Sequence, residues 1–268
     1  MRQRPFLKWA GNKYRIIHRI LTVLPAGRRL IEPFAGSGAV FLNTDFRENL
    51  LSDSNDDLIR LYETVKTGGE GFLEYSRSFF TEANNCPERY YALRELFNTT
   101  GDGALKSALF IYLNRHGYNG LCRYNASGKF NAPAGRYKKP YFPEEELRFF
   151  AAKAREAQFV CQDFTQTMAM AREGDVVYCD PPYVPLSQTS NFTSYSAGGF
   201  GEAEQWKLAE LARQLAERGV SVLISNHDTE FTQKAYHAAR IERFQVQRFV
   251  SCNGAKRGKA GEVLALFG

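Results

Sequence analysis

The chain has 268 residues, of which 44% are hydrophobic, 24% charged and 14% aromatic; this excludes disordered, collagen-like and coiled-coil chains and supports one large core, or a core with an insertion. No apolar run reaches the roughly 18 residues of a membrane span, and the start Met1-Arg2-Gln3-Arg4-Pro5 lacks the apolar stretch of a secretory signal, so a cytoplasmic protein is expected. The formal charge of +6 is supplied by one segment, Arg115 to Pro143, which holds six basic residues (Arg115, Arg123, Lys129, Arg136, Lys138, Lys139) and no acid.

In chain order, Ile16, Ile17, Ile20, Leu21 and Leu24 recur at helical spacing, which predicts a helix after the loop Lys8 to Lys13 that stops at Pro25. A short apolar strand, Leu30-Ile31, then enters Glu32-Pro33-Phe34-Ala35-Gly36-Ser37-Gly38, followed by a short helix and a second strand ending at Asp53. From about Gly68 to Ala157 the pattern is helical, broken by the basic segment, and reads as an inserted domain. Strands resume at Phe159 to Cys161 and Val176 to Cys179. Leu208, Leu211, Ala212, Leu215 and Ala216 mark a helix, and Val220 to Ser225, Phe244 to Val250 and Val263 to Phe267 are further strands. Strands alternating with helices imply an open, mostly parallel sheet covered on both faces, with ligands at the carboxyl ends of its strands.

Three features carry chemistry. The Gly36-x-Gly38 turn follows a strand and opens a helix, and Asp53 stands fifteen residues after Gly38 at the end of the next strand; glycines admit a ligand to the backbone and such an acid accepts the hydroxyls of an adenosine ribose. Phe41 replaces the third glycine of a dinucleotide fingerprint, so a ligand without pyrophosphate is indicated. The other reading of Asp53 is a cap for the helix that begins near Asp56 and Asp57. The second feature is Asp180-Pro181-Pro182-Tyr183, directly after an apolar strand. Its prolines fix a rigid extended turn, the Asp180 carboxylate and the Pro181 carbonyl are paired acceptors for a planar amino group, and Tyr183 offers a ring for stacking. Holding both hydrogens of an aromatic amine out of plane localises the nitrogen lone pair toward an electrophile. The third is the basic segment itself, where Tyr118, Tyr124, Phe130, Tyr137, Tyr141 and Phe142 interleave with the cations, as suits phosphates and stacked bases.

The combination of Phe6-Leu7-Lys8-Trp9-Ala10-Gly11-Asn12-Lys13, Glu32 to Gly38, Asn114-Arg115-His116-Gly117-Tyr118-Asn119-Gly120-Leu121-Cys122-Arg123-Tyr124-Asn125 and the Asp180 to Tyr183 turn resembles the Dam-type DNA adenine methyltransferases, in the order of the alpha-type amino-methyltransferases. The resemblance implies an α/β fold: a Rossmann-like S-adenosylmethionine-dependent core at 1–67 and 158–268, with an inserted, mainly helical target-recognition domain at 68–157. It implies S-adenosyl-L-methionine as methyl donor and the N6 amino group of adenine in GATC as acceptor, reached by base flipping. Carried over residue by residue, it puts Trp9, Lys13, Asp53 and Asp180 around the cofactor, with Phe34 and Gly36 lining the turn, and makes Asp180, Pro181, Pro182 and Tyr183 the catalytic corner. Tyr118 and Asn119 match the pair that wedges into the duplex, and Arg123 the main reader of a guanine edge. Lys8, Leu121 and Pro133 match lesser base contacts, and Arg136 and Tyr137 neighbours on the backbone. Asn12 departs from the family's second glycine; asparagine tolerates positive φ, so the turn is expected to survive.

Two weaker segments are expected to act on DNA: Pro185 to Gly201 as a loop ordering over the flipped base, and Arg248, Lys256, Arg257 and Lys259 as a second phosphate clamp, each with a solvated loop as the other reading. The five cysteines, Cys86, Cys122, Cys161, Cys179 and Cys252, are scattered without a CxxC pair, which argues against disulfides and structural zinc, and no metal is expected. Methylation at a cytosine ring carbon needs a cysteine nucleophile after a proline, whereas Cys179 precedes Asp180 within a strand. The rivals are transfer to the cytosine N4 amino group and a DNA-binding regulator with a catalytically silent methyltransferase fold. The expected partner is double-stranded DNA, with no membrane, met by a monomer in a bacterial or phage setting at the nucleoid.

Overall fold

The computed structural model describes residues 2–184, 200–247 and 259–268. The stretch 185–199 and the cations Arg248, Lys256 and Arg257, to which roles were assigned above, lie outside the described residues. In chain order the first elements are α1 (Ile17–Val23), β1 (Arg29–Glu32), α2 (Ala39–Leu42), β2 (Glu48–Asp53), α3 (Asp56–Arg77), α4 (Pro87–Thr99), α5 (Gly103–His116), α6 (Glu144–Lys153) and β3 (Ala157–Cys161). They are followed by α7 (Phe164–Ala169), β4 (Val176–Cys179), α8 (Glu202–Glu217), β5 (Ser221–His227), α9 (Glu230–Ala235), β6 (Arg240–Gln247) and β7 (Lys259–Phe267). The seven strands make a mostly parallel sheet, as the alternation of elements predicts and in keeping with the Rossmann-like α/β fold that the resemblance implies. The chain divides into two compact units, residues 1–18 with 35–162 and residues 19–34 with 163–268.

In the first unit β2 and β3 pair in parallel, from Asn49 opposite Ala157 to Asp53 opposite Cys161. Asn55 caps α3 by accepting from the Leu58 amide, so the alternative reading of Asp53 as that cap is wrong. The sequence boundary at residue 67 falls inside α3, just before the left-handed Gly69 at φ +53°, and residues 68–157 share this unit with β2, β3 and the amino terminus. Helix α5 is buried without interruption from Ser107 to His116, as its run Ala-Leu-Phe-Ile-Tyr-Leu dictates: a helix apolar on every side has no solvent face. Phe6, Tyr62, Phe150 and Phe159 form an aromatic core, with Phe150 4.7 Å from Tyr62 and 5.0 Å from Phe6; each such pair adds about 0.5–1.5 kcal/mol beyond area burial.

In the second unit β1 and β5 flank β4 in parallel, and β7 lies antiparallel between β5 and β6. Strand β6 starts at Arg240, four residues before the expected Phe244. Leu21, expected in the core face of α1, is 39% exposed, whereas Ile16, Ile17 and Ile20 are buried. Asp175, with its side chain fully buried before β4, accepts from Arg29 Nε at 3.1 Å and from the Arg172 amide at 2.9 Å, which fixes the entry of the strand that delivers Asp180. Register does the rest: Cys179 stands opposite Ile224, so Asp180 emerges level with Ser225, and β5 continues past the end of β4 through Ser225, Asn226 and His227.

Candidate active site and nucleic-acid interface

The overhang of β5 is the seat of the Asp180 corner. Ser225 Oγ lies 3.1 Å from Asp180 Oδ1 and 3.0 Å from the Tyr178 hydroxyl, which makes a chain from tyrosine hydroxyl to serine hydroxyl to carboxylate. Asn226 is fully buried; its Oδ1 accepts the Val184 amide at 3.1 Å, and its Nδ2 donates to Gln205 Oε1 and to the Tyr236 hydroxyl. Gln205, from α8, donates in turn to the Pro182 carbonyl at 2.7 Å. His227 Nδ1 meets the Val184 carbonyl at 2.8 Å, and its ring stands edge-on to Tyr183 at 4.7 Å. Every residue from Asp180 to Val184 except Pro181 is thus tied to β5 or α8, and Pro181 is buried. The corner is rigid because its exits are bonded as well as because its prolines fix φ. Burial, and next the charge of Asp180, drive the Tyr183 hydroxyl well above 10, so the ring stays neutral. Burial likewise pushes the Cys179 thiol far up, which leaves it inert.

Phe34, expected to line the glycine turn, stacks on Phe164 at 5.4 Å and 26°, with Phe200 edge-on to both. These three rings belong to the second unit.

In the first unit the glycine turn is closed around Gly36. Its amide donates to Asp53 Oδ2 at 3.0 Å, its carbonyl accepts the Tyr62 hydroxyl, and a Cβ there would lie 2.9 Å from Trp9 Nε1. With φ at +47°, only glycine suits the position. The second oxygen of Asp53 accepts the Asn55 amide at 3.0 Å. Burial raises the Asp53 pKa above 3.8, against backbone amides of Gly36, Asn55 and Ser54 that pull it down. Each carboxylate oxygen has lone-pair capacity for more than one donor, so Asp53 can hold the turn and still accept ligand hydroxyls. Trp9, Gly36 and Asp53 therefore come together as expected. Lys13 is buried, its Nζ donating to the Gly11 carbonyl at 2.6 Å. Asn12 does not take positive φ: at φ −47° it caps the 3-10 turn Lys13–Arg15 by accepting from the Tyr14 amide, and Gly11 carries the left-handed conformation at φ +74°. Asparagine fits because the position needs a capping side chain.

The basic segment folds as two stretches running back on each other. Residues Arg123 to Asn131 form a hairpin, with the Asn131 amide bonded to the Arg123 carbonyl at 2.9 Å and Asn125 organising the turn through the amides of Ser127 and Lys129. Arg123 is exposed; its Nε donates to Asn131 Oδ1 at 2.7 Å and one terminal nitrogen to the Asn131 carbonyl at 3.1 Å. Tyr118 is 55% exposed and donates its amide to the Pro133 carbonyl at 2.9 Å, and exposed Asn119 takes the left-handed φ of +52°. Lys8 joins this surface although it is 106 residues distant from Asn114, whose side chain bonds both its amide and its carbonyl and also reaches the Gly120 carbonyl. The Lys8 Nζ sits 4.0 Å from the centre of the Tyr137 ring. Leu121 is half-buried and Arg136 exposed.

Three members of the basic and aromatic pattern do not face outward. Arg115 is buried, donates to the Phe6 carbonyl, and has its pKa lowered by that burial. Phe130 packs inside against Phe97 at 5.5 Å, and Tyr124 turns its hydroxyl to Asp57 at 2.8 Å. Tyr124 and Phe130 anchor the hairpin, Arg115 ties its helix to the amino-terminal segment, and the exposed cations are Arg123, Lys129, Arg136, Lys138 and Lys139.

The model of the D12 class of N6 adenine-specific DNA methyltransferases matches residues 9–250. The chain belongs to this family. It is 53% identical over 267 residues to the DNA adenine methylase of Serratia marcescens, covering 99% of each chain. It is 51% identical over 266 residues to that of Escherichia coli (strain K12), covering 99% of this chain and 96% of that one. The similarity to the DNA adenine methylase of Vibrio cholerae serotype O1 is also 51%, over 267 residues. The chain is accordingly an adenine-specific DNA methyltransferase, and the readings as a cytosine N4 enzyme or a silent regulator fall away. No helix of the methyltransferase among the described residues is long and apolar enough to cross a membrane, and among them no group of three or more His, Cys, Asp or Glu could hold a metal ion.

Sequence reasoning missed Ser225, Asn226 and His227, although three polar residues ending the apolar run Val220-Ser221-Val222-Leu223-Ile224 could have marked the ligand end of the strand. It also gave no role to Asn114, which carries Lys8 to the Tyr118 turn, or to Gln205, whose partner is remote in sequence.

Proposed function

We propose that this methyltransferase transfers the methyl group of S-adenosyl-L-methionine to N6 of adenine in GATC within double-stranded DNA, by flipping the adenine and direct in-line transfer. Bound S-adenosylmethionine supplies an electrophilic methyl carbon on a positively charged sulfur. The residues suit such a ligand: Gly36 leaves room that a Cβ would fill against Trp9, and Asp53 offers a carboxylate for ribose hydroxyls. Trp9, Lys13, Phe34, Gly36, Asp53 and Asp180 hold it in this reading. Asp180 and the Pro181 carbonyl would accept the N6 hydrogens and turn the nitrogen lone pair toward the methyl carbon; the new N–C bond would replace the C–S bond, whose electron pair stays on sulfur as a neutral thioether, and the methylated nitrogen would then release one proton past Asp180 to water, while Pro182 and Tyr183 keep the corner and the base in place. Residues 68–157 serve as the recognition domain on the core of 1–67 and 158–268. Within it Tyr118 and Asn119 fill the gap left by the adenine, Arg123 reads a guanine, and Lys8, Leu121, Pro133, Arg136 and Tyr137 complete the contact. A monomer without metal, in the cytoplasm on the nucleoid, completes the proposal.

The observation that carries this reading is the Asp180 carboxylate held by Ser225 at the end of β4, in a turn bonded on both sides. Transfer of labelled methyl from donor to GATC duplex tests it. Asp180→Ala is expected to abolish transfer while duplex binding persists, and hydrolysis of the wild-type product to yield N6-methyladenine. Full transfer by Asp180→Ala, or label spread evenly over duplexes without GATC, refutes it.

A further inference from the structure

Within the first unit one hydrogen-bonded path joins the acid assigned to the cofactor with the segment assigned to base reading. Asp53 Oδ1 accepts the Asn55 amide at 3.0 Å. The Asn55 side chain works in two directions: its oxygen caps α3 at the Leu58 amide, 3.2 Å, and its nitrogen donates to Cys122 Sγ at 3.7 Å. Cys122 lies between Leu121 and Arg123, the residues assigned to bases. In the first turn of α3, Asp57 accepts the Tyr124 hydroxyl on one oxygen at 2.8 Å and pairs with Lys106 of α5 through the other at 2.8 Å. Tyr124 also packs its ring at 90° to buried Phe130, with centroids 5.5 Å apart. The reading segment thus touches the start of α3 at two points, Asn55 and Asp57, and the same start of helix is bonded to Asp53.

We propose that Asn55, Asp57 and Tyr124 are positioning residues that couple the two sites, so that a ligand on Asp53 sharpens base discrimination by Arg123. This rests on the assignments of Asp53 and Arg123 under Proposed function. A ligand that draws on the Asp53 carboxylate competes with, or reorients, its bond to Asn55. The Asn55 backbone amide held by Asp53 opens the same helix start whose side chains, Asn55 and Asp57, are bonded to Cys122 and Tyr124, so a displacement of that backbone is passed to the reading segment. Coupling is reciprocal: DNA of the right sequence must tighten cofactor binding by the same factor.

The test measures discrimination as the ratio of dissociation constants for a duplex with one exchanged base pair and for a GATC duplex, with and without S-adenosylhomocysteine. Tyr124→Phe removes the hydroxyl and keeps the ring on Phe130. Asn55→Ser keeps a helix-capping oxygen and loses the reach to Cys122, providing the same test should the first variant fold poorly by thermal melting. In the wild type the ligand is expected to raise the ratio by about fivefold or more, and in either variant by less than about twofold, with the ratio in its absence retained. Equal sharpening in wild type and variants overturns the coupling. So does a variant that loses discrimination equally with and without ligand, since that marks a merely structural role. So does a wild type that binds the ligand yet is not sharpened by it, which leaves the assignments intact provided that Arg123→Ala still loses discrimination. Failure of the wild type to bind S-adenosylhomocysteine, or undiminished discrimination in Arg123→Ala, overturns the assignments themselves.

Discussion

Ser225→Ala is the sharpest probe of the proposed catalytic corner, because it removes one hydroxyl from a fully buried position and touches nothing assigned to DNA. Ser225 accepts from Tyr178 at 3.0 Å and donates to Asp180 Oδ1 at 3.1 Å. Cys179 O, at 3.4 Å, is the poorer acceptor for its single hydrogen, since a carboxylate accepts more strongly. A hydrogen bond to a charged partner contributes about 1.5–3 kcal/mol. If the whole of that is orientation of the carboxylate required at the moment of transfer, the rate falls by about 10- to 150-fold. The Tyr178 hydroxyl, buried with its pKa raised well above 10 by desolvation first and by Asp180 second, also loses an acceptor, so stability is expected to fall by about 1–3 kcal/mol. The two losses separate in the assay: single-turnover methyl transfer at saturating donor and DNA, beside duplex affinity and a urea melt. The expected result is a lower rate at unchanged duplex affinity, partly restored in Ser225→Cys, which keeps a weak donor. A single-turnover rate within about twofold of wild type in a folded Ser225→Ala, well short of the loss worked from the bond, would refute the reasoning; so would a loss confined to duplex affinity.

Arg123→Ala is expected to cost about 1–3 kcal/mol of discrimination at one base pair, measured over duplexes with single exchanges; an unchanged site preference removes Arg123 as a reader. His116 gives a pH dependence. Burial lowers its pKa from 6.5 to about 4, countered by its bond to the Tyr112 carbonyl, and the ring stacks on Tyr112 at 3.9 Å. Below pH 6.5 the unfolded chain takes up a proton that the folded chain refuses, so stability declines as the pH falls from about 6.5 to about 4, by about 3 kcal/mol in all. Urea melts of His116→Phe, which keeps the stack, are expected to show an acid decline smaller by that amount, and an equal decline in both proteins contradicts the assignment.

The strands and the turn after them were legible because their signals are local. Leu30-Ile31, the run into Asp53 and Val176 to Cys179 are apolar stretches ended by an acid or a glycine, and the structure places β1, β2 and β4 there. The basic and aromatic character of the central segment was legible as composition, but which of its side chains face outward was not. Arg115 and Arg123 are alike in sequence; only packing decides that one donates into the core at Phe6 and the other stands outside on Asn131. The same holds for Phe130 and Tyr118. The support of the Asp180 corner was illegible for another reason: Ser225 and Asn226 lie more than 40 residues further on, and nothing but the β4–β5 register brings them level with it. Asn12 misled because a rule about φ was applied where a cap was needed.

The bonds of Arg123 explain why an exposed side chain can serve as a reader. A guanidinium has five N–H donors in a planar fork. In Arg123 two of them, on Nε and on one terminal nitrogen, are spent on Asn131. Three remain, and two of them, one on each terminal nitrogen, form the outer edge that can meet two acceptors side by side, as guanine O6 and N7 present them. Asn131 therefore fixes the direction of that edge before DNA arrives, and the rotamer entropy of a long side chain is given up at folding and not at binding. A lysine at position 123 would keep the charge, yet it has a single nitrogen and cannot be gripped on one edge while offering another. In the reading role proposed for Arg123, selectivity depends on the planar fork and its anchor, whereas the charge proposed to meet phosphates on the neighbouring cations adds affinity that is blind to sequence.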